Sequence, residues 1–272
     1  MLPNNWASMP AVASFQNHRM LCKRRTDMAS TKSAEMVGLF FDEQWKVYRD
    51  FIEHDLMHHK DLFAVLQEKI LAYLPKDYSM LDLACGDSDP SSQLLKQFPA
   101  LKYVGVDIAK AVLTLAEKNL KATKTPFVLL EQDFVEHLQK SEDTYDLILI
   151  SFSLHHLETA EKQHFFELAR KRLKPGGFLA VIDIIRLNGQ GRSEWLAQCY
   201  PYMVRRSQGK CQKSCETAHA HMQKADFPEE AQTYVAMARE AGFKSVEIAY
   251  HHQESTFGVL IAGDELRPFS RQ

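Results

Sequence analysis

From Phe41 to Tyr73, apolar residues recur at three- and four-residue steps: Trp45, Tyr48, Ile52, Leu56, Phe63, Leu66, Ile70 and Tyr73, with His59 on the same face. That period describes one face of an amphipathic helix, in one piece or broken into two, and Leu74-Pro75 ends it. Beyond it the pattern alternates. Five short apolar runs (78–84, 102–107, 127–132, 146–152 and 178–185) are separated by segments of helical period. The runs lack a polar alternate, as in strands covered on both faces. Strands alternating with helices predict an α/β sheet of mostly parallel order. Asp89-Pro90 reads as a helix cap followed by proline at the first helical position. Lys174-Pro175-Gly176-Gly177 reads as the stop between the helix before it and the fifth strand.

After the fifth strand the rhythm breaks. Residues 186–225 hold two helical pieces joined by polar connectors, too long for an ordinary loop, and predict a lid or insertion over 187–227. Order resumes with a helix over 228–241, Gly242 just past its end, and two last strands over 244–250 and 257–263. Their short connection predicts an antiparallel pair. The expected organisation is an extension over 1–40, a helical cap over 41–75 and one domain over 76–265 that contains the lid.

Composition narrows the function. The chain has 272 residues, 45% hydrophobic and 25% charged, which is the profile of a globular domain. With 33 basic against 35 acidic residues the net charge is −2, so nothing favours a nucleic acid partner. Five scattered cysteines make no disulfide framework and point to a reducing, cytoplasmic setting. No apolar run approaches the ~20 residues that span a bilayer. Residues 1–26 carry Arg19, Lys23, Arg24 and Arg25 and no acid. A targeting segment has this character. A disordered tail, or a start assigned upstream of Met20 or Met28, fits it better.

The candidate chemistry concentrates in Met80–Pro90, MLDLACGDSDP. A strand ends there in small residues and a helix opens just after, where ligands of open α/β sheets bind. A pyrophosphate needs glycines and bare N–H groups at the helix start. Here Asp87 and Asp89 stand beside Gly86, no GxGxxG is present and no Walker lysine follows. Two carboxylates repel phosphate and suit a ligand with positive groups, such as S-adenosylmethionine. The segment resembles motif I of the class I S-adenosylmethionine-dependent methyltransferases, D-x-G-x-G-x-G after an apolar run. Asp82, Ala84, Gly86 and Ser88 occupy its pattern positions, with Ala84 and Ser88 in place of the outer glycines.

The resemblance runs from Ser79 to Gly263 outside the insertion. It includes LKPGGFLAVID at the turn into the fifth strand and AREAGF before the sixth. The segment ISFSLHHL is similar to the methyl-facing rim of small-molecule methyltransferases, and its histidine pair to the quinone-biosynthesis group. The resemblance implies a seven-stranded, mostly parallel Rossmann-like sheet with helices on both faces, an N-terminal helical cap and a helical lid insertion. It implies cofactor contacts from Asp82, Ala84, Gly86 and Ser88. It further implies Asp107 and Ile108 at the ribose, Asp133 and Phe134 at the adenine, and Ser151 at the end of the fourth strand. Asp146, at the opposite end of that strand, reads as structural.

Methyl transfer rests mainly on aligning nucleophile, methyl and sulfur. A base is needed only where the acceptor holds a proton of high pKa. His155, after the fourth strand, and His59, on the cap's apolar face, are the candidates. The alternative for His155-His156 is packing at the entry of the next helix. His54 and His58 stand one turn apart without a third ligand. Cys211, Cys215 and His219 would span about 12 Å on a straight helix, too far for one ion. No metal is therefore expected. Trp195, Tyr200, Tyr202 and Met203 line an apolar pocket or pack the lid, settings in which aromatics are equally common. The expected function is methyl transfer from S-adenosylmethionine to O, N or C of a small molecule, with the oligomeric state open. Two alternatives stand beside it. One is a non-catalytic S-adenosylmethionine-fold binding or regulatory subunit. The other is a nicotinamide oxidoreductase, which the acidic loop disfavours.

Overall fold

The apolar runs form the centre of one seven-stranded sheet in a computed structural model that describes residues 46–266 and Pro268. The extension predicted over 1–40, and Trp45 of the cap, lie outside the described residues. The strands are β1 (Ser79–Leu83), β2 (Lys102–Asp107), β3 (Phe127–Glu131), β4 (Tyr145–Ser151), β5 (Leu173–Ile184), β6 (Ser245–His251) and β7 (Phe257–Gly263). Their order is β3-β2-β1-β4-β5-β7-β6. The first five run parallel, and β7 pairs antiparallel with both β5 and β6. Strand order reverses at β1, which pairs with β2 on one side and β4 on the other. The crevice outside its carboxyl end is the binding position of such sheets.

Two apolar layers cover the sheet, and β5 shows the division. Phe178, Ala180, Ile182 and Ile184 face one layer, Leu179 and Val181 the other, as a two-residue period requires. The first layer takes α1 (46–53), α2 (His59–Tyr73), α3 (Asp89–Gln97), α4 (Lys110–Leu120) and the lid. The second takes α5 (Phe134–Lys140), α6 (Thr159–Lys171) and α9 (Ala231–Glu240). The lid is a pair of helices, α7 (Arg192–Arg206) and α8 (Gln212–Ala225). Arg192, at the start of α7, donates to the Met222, Gln223 and Asp226 carbonyls at the end of α8, so the two run antiparallel. Its cation also offsets the negative end of α8. Among the described residues no helix is long and apolar enough to cross a membrane.

Two elements depart from the sequence pattern. The cap breaks after residue 53, where Asp55 and His58 adopt φ of 48° and 54°. The Leu56 N–H reaches back to the Phe51 carbonyl at 2.8 Å, and the turn drops Leu56 and His58 into the core. The second departure is in β5, which begins at Leu173 rather than at Phe178. Tyr145 pairs with Leu173 and Leu147 with Phe178, so residues 174–177 bulge out of a continuous strand. A Cβ on Gly177 would stand 2.7 Å from the Asp146 carbonyl oxygen, which only glycine avoids. The bulge carries Lys174 onto Asp146 Oδ2 at 2.8 Å, and Asp146 also accepts from the Ser79 N–H and hydroxyl. The starts of β1, β4 and β5 are thereby joined, in keeping with a structural Asp146.

Candidate functional site

The loop after β1 has an unusual backbone. Ala84, Gly86 and Ser88 all sit at left-handed φ, 53°, 55° and 52°. These are the three glycine positions of the motif, and the conformation persists where glycine does not. A left-handed non-glycine residue costs roughly 1–2 kcal/mol. A Cβ placed on Gly86 would meet nothing nearer than Val112 Cγ1 at 4.0 Å, so the face above it is open.

Asp107, at the end of β2, fixes this loop. Its Oδ2 accepts the Gly86 N–H at 2.9 Å and its Oδ1 the Ala109 N–H at 2.8 Å. The carboxylate so fixed stands at the carboxyl end of β2, where the expected ribose contact would fall. Ile108 lies half-buried between these contacts.

Asp82 is buried under the loop. Its Oδ2 accepts from Ser91 Oγ at 2.5 Å and from the Tyr103 hydroxyl at 2.7 Å, while Ser88 Oγ stands 3.0 Å from that hydroxyl. Its Oδ1 is buried without a partner. Burial pushes the carboxyl up to about 6. Asp87 accepts from the Tyr48 hydroxyl at 3.3 Å and from the Asp89 N–H at 3.1 Å. Burial, then the charges of Asp87 and Asp89, raise the Tyr48 phenol far above its ordinary value, so it remains a donor. Tyr48 therefore ties α1 to the loop, a contact that helical periodicity alone does not reveal.

On the adenine side, Asp133 Oδ1 accepts the Val135 and Glu136 N–H groups at 3.0 and 2.9 Å. That is a helix N-cap, the turn role open to this acid from sequence. Phe134 packs edge-on to Phe165. Ser151 ends β4, and its carbonyl accepts from Ser153 Oγ at 3.2 Å. Phe152 follows with φ of 51° and brings its ring 4.7 Å from His59 and 5.8 Å from Phe257.

The two candidate bases differ. His59 opens α2 beside Phe152, its Nδ1 is buried without a partner, and burial pulls the imidazole down to about 4. It is neutral near pH 7. His155 sits in the 3-10 turn Leu154–His156 after β4 and is deeply buried. Its Nδ1 bonds Asp183 Oδ1, its N–H donates to Asp183 Oδ2 at 3.0 Å, and its Nε2 lies 3.6 Å from Asp226 Oδ2. Burial opposes protonation, but Asp183 and Asp226 outweigh it and raise the imidazole. By the two-residue period of β5, Asp183 lies on the α6 and α9 face, away from the lid. His155 is thus engaged inside the fold by two carboxylates.

His58 and His219 are also committed. His58 bonds the Tyr202 hydroxyl through Nε2 and faces Asp61, not His54. His219 reaches the Leu196 carbonyl at 2.9 Å, while Cys211 and Cys215 stand 3.8 Å apart and buried. The four-residue series in the lid does not converge.

Beneath the lid, Phe51, Leu56, Ile184, Trp195, Tyr202 and Phe257 line an apolar pocket at the carboxyl end of the sheet. Trp195 Nε1 is buried there without a partner. This polar point and the Asp183–Asp226 surround of His155 were not singled out by spacing. A lone aspartate within the apolar run FLAVIDII was the available signal, since buried charges need partners.

Residues 81–179 match a family model described as a methyltransferase domain. A carboxy-S-adenosyl-L-methionine synthase of Erwinia tasmaniensis is 21% identical, covering 88% of this chain and 96% of that protein. Human N-acetylserotonin methyltransferase, solved with S-adenosylmethionine, is 16% identical with a TM-score of 0.53, covering 81% of this chain and 56% of that one. The S-adenosylmethionine-dependent methyltransferase SibL, solved in its apo form, is 15% identical with a TM-score of 0.52, covering 74% and 54%. The chain spans about half the length of these two solved proteins, and likeness at such identity is one of fold. Strand order, motif loop and the methyltransferase domain matched over residues 81–179 agree with the resemblance to the class I S-adenosylmethionine-dependent methyltransferases. S-adenosylmethionine is the cofactor of that class. The open face over Gly86 and the unpartnered, buried Asp82 Oδ1 fit a ligand that brings a cation and needs close approach to backbone.

Proposed function

We propose that this chain transfers a methyl group from S-adenosylmethionine to O, N or C of a small, largely apolar acceptor bound beneath the lid. The observation that carries the reading is the loop over 84–88, left-handed at alternate residues and open over Gly86. When bound, the cofactor supplies an electrophilic methyl on a positively charged sulfur that is already an activated leaving group. The residues of the chain then have three tasks.

The first is to hold the donor. Asp82 and Asp87 offer carboxylates to its positive groups, and the Asp107 carboxylate at the end of β2 is the acceptor for the ribose hydroxyls. Ala84, Ser88, Ile108, Phe134 and Ser151 border this position as backbone or packing surface. The second task is alignment without water. Tyr48 fastens α1 to the loop, and α1 with the lid closes the apolar pocket. Orientation of this kind lowers barriers by about 7–11 kcal/mol in favourable cases. The third is the proton. His59, neutral and without a protein partner at Nδ1, is the group to receive it where the acceptor must lose one. Trp195 Nε1 offers the acceptor one hydrogen bond.

Calorimetry with S-adenosylmethionine, S-adenosylhomocysteine and NAD tests the first task. Binding of NAD alone would overturn the reading. Incubation of metabolite fractions with methyl-labelled cofactor then finds the acceptor. His59→Ala should keep cofactor affinity and lose about 10²–10⁴ in turnover on an acceptor that releases a proton. Unchanged turnover removes His59 from the reaction.

Near full-length similarity to carboxy-S-adenosyl-L-methionine synthases supports a second reading, in which the cofactor itself is modified. The pocket beneath the lid has no Lys or Arg among its lining residues to hold a carboxylate co-substrate, which favours the first. The mass of the product separates the two.

A further inference from the structure

We propose that His155, His156, His221 and Asp226 bind one zinc ion that fastens the lid to the rim of β4. The four residues come from two separate parts of the chain. His155 and His156 form the turn after β4, whereas His221 lies on α8 and Asp226 caps its end.

The spacing of His155, His156 and Asp226 is that of a ligand sphere, and His221 adjoins it at Asp226. His155 Nε2 stands 3.6 Å from Asp226 Oδ2, His156 Nδ1 3.2 Å from Asp226 Oδ1, and His221 Nε2 3.4 Å from the same oxygen. Ligand atoms of His155, His156 and Asp226 all lie within 4.8 Å of one another. Tetrahedral zinc with bonds of about 2.0–2.1 Å sets its ligand atoms roughly 3.3–3.4 Å apart. Two imidazole nitrogens, His156 Nδ1 and His221 Nε2, converge on the one Asp226 oxygen Oδ1. His156 Nδ1 also lies 3.3 Å from the Ala225 carbonyl, the contact a site without metal would use.

Two further features favour the ion. Asp183 grips His155 through Nδ1 and turns Nε2 toward Asp226, the carboxylate–histidine support that metal-bound imidazoles receive. Asp183 and Asp226 are 0% and 2% exposed, two buried carboxylates that need positive partners in the interior. The nearby Lys162 bonds the Leu157 carbonyl and pairs with Glu229. A divalent cation balances the pair. His155, His156 and Asp226 are all buried, so the site is a closed, structural one.

The test uses the full chain, stripped with chelator and titrated with zinc chloride, read by calorimetry, elemental analysis and thermal melting. About one zinc per chain and a melting temperature that falls on adding chelator are expected. Cobalt in its place should show the visible spectrum of a tetrahedral site. His221→Ala should weaken zinc binding at least tenfold, and Asp183→Asn by about 10–100-fold as a positioning residue. His164→Ala, at an exposed histidine on α6, should leave it unchanged. No stoichiometric zinc and no chelator effect would mean a hydrogen-bonded imidazole–carboxylate cluster and overturn the proposal. Zinc bound with equal affinity in His221→Ala and Asp183→Asn would place the ion elsewhere and overturn it equally. Uptake of iron but not zinc would refute the tetrahedral assignment.

Discussion

Asp82→Asn should set fold stability against cofactor affinity. In the folded chain, burial pushes this carboxyl from 3.8 to about 6, while the unfolded chain keeps the ordinary value. Because the folded value is the higher one, the group's contribution to stability is fully present below pH 3.8 and lost as pH rises through about 6. Linkage gives a penalty of about 3 kcal/mol at pH 7 and about 1.5 kcal/mol at pH 5. Asparagine removes the charge but puts an amide where Oδ1 has no partner, which costs about 1–3 kcal/mol. That cost is the same at both pH values. Urea denaturation of both proteins at pH 5 and pH 7, without ligand, therefore isolates the carboxylate. Wild type should lose about 1.5 kcal/mol more than the variant between the two. In calorimetry the variant should bind S-adenosylmethionine more weakly by about 1.5–3 kcal/mol, the worth of a hydrogen bond to a charged group. Parallel pH dependence together with equal affinity would refute the reasoning, because Asp82 would then be neither a strained carboxylate nor a partner for a cation.

Ala84→Gly should raise stability by about 1 kcal/mol by relieving a left-handed residue, seen as a melting point higher by about 2–4 °C; a lower one would contradict the strain. Asp133→Ala should cost about 1 kcal/mol through the lost cap of α5, measured in urea, with cofactor affinity retained. A large drop in affinity would instead assign Asp133 to the adenine. Asp146→Asn tests the junction of β1, β4 and β5. Burial raises that carboxyl, but hydrogen bonds from Lys174 and Ser79 outweigh it and lower the folded value. The stability it gives is present above the unfolded pKa and lost as pH falls through the folded one. The variant should trail wild type by about 1.5–3 kcal/mol at pH 7 and converge with it in acid. Finally, His59 is neutral down to about pH 4, so methyl transfer that uses it should keep its acid limb near that value rather than near 6.5.

The sheet was legible because its strands are buried on both faces and so read as unbroken apolar runs. The motif loop was legible in position, since small residues and a helix start must follow β1. Its backbone was not. Alanine and serine at 84 and 88 suggest a relaxed turn, yet both are held left-handed, with Asp107 anchoring the loop between them and the Ser88 hydroxyl against Tyr103. The KPGG segment misled for a similar reason. Pro and Gly mark a turn locally, but the Asp146 carbonyl at Gly177 makes it a bulge within β5.

The histidine pair shows where local reading stops. A histidine at a strand end is a candidate base on position alone, and nothing near it in sequence says otherwise. Its partners, Asp183 and Asp226, stand in another strand and at the end of the lid. What decides its role is electrostatic. Two buried carboxylates draw both imidazole nitrogens of His155 inward, while His59 packs against Phe152 with its Nδ1 lacking a hydrogen-bond partner. An aspartate inside an apolar strand carries that information in the sequence, because a charge there requires a cation, a proton or a metal within reach. Mixing such a residue with a histidine pair on the neighbouring strand narrows the choice further, since β4 and β5 are adjacent and parallel. The lid brings His221 and Asp226 to the same cluster, so the contacts that engage His155 also join the lid to the rim of β4.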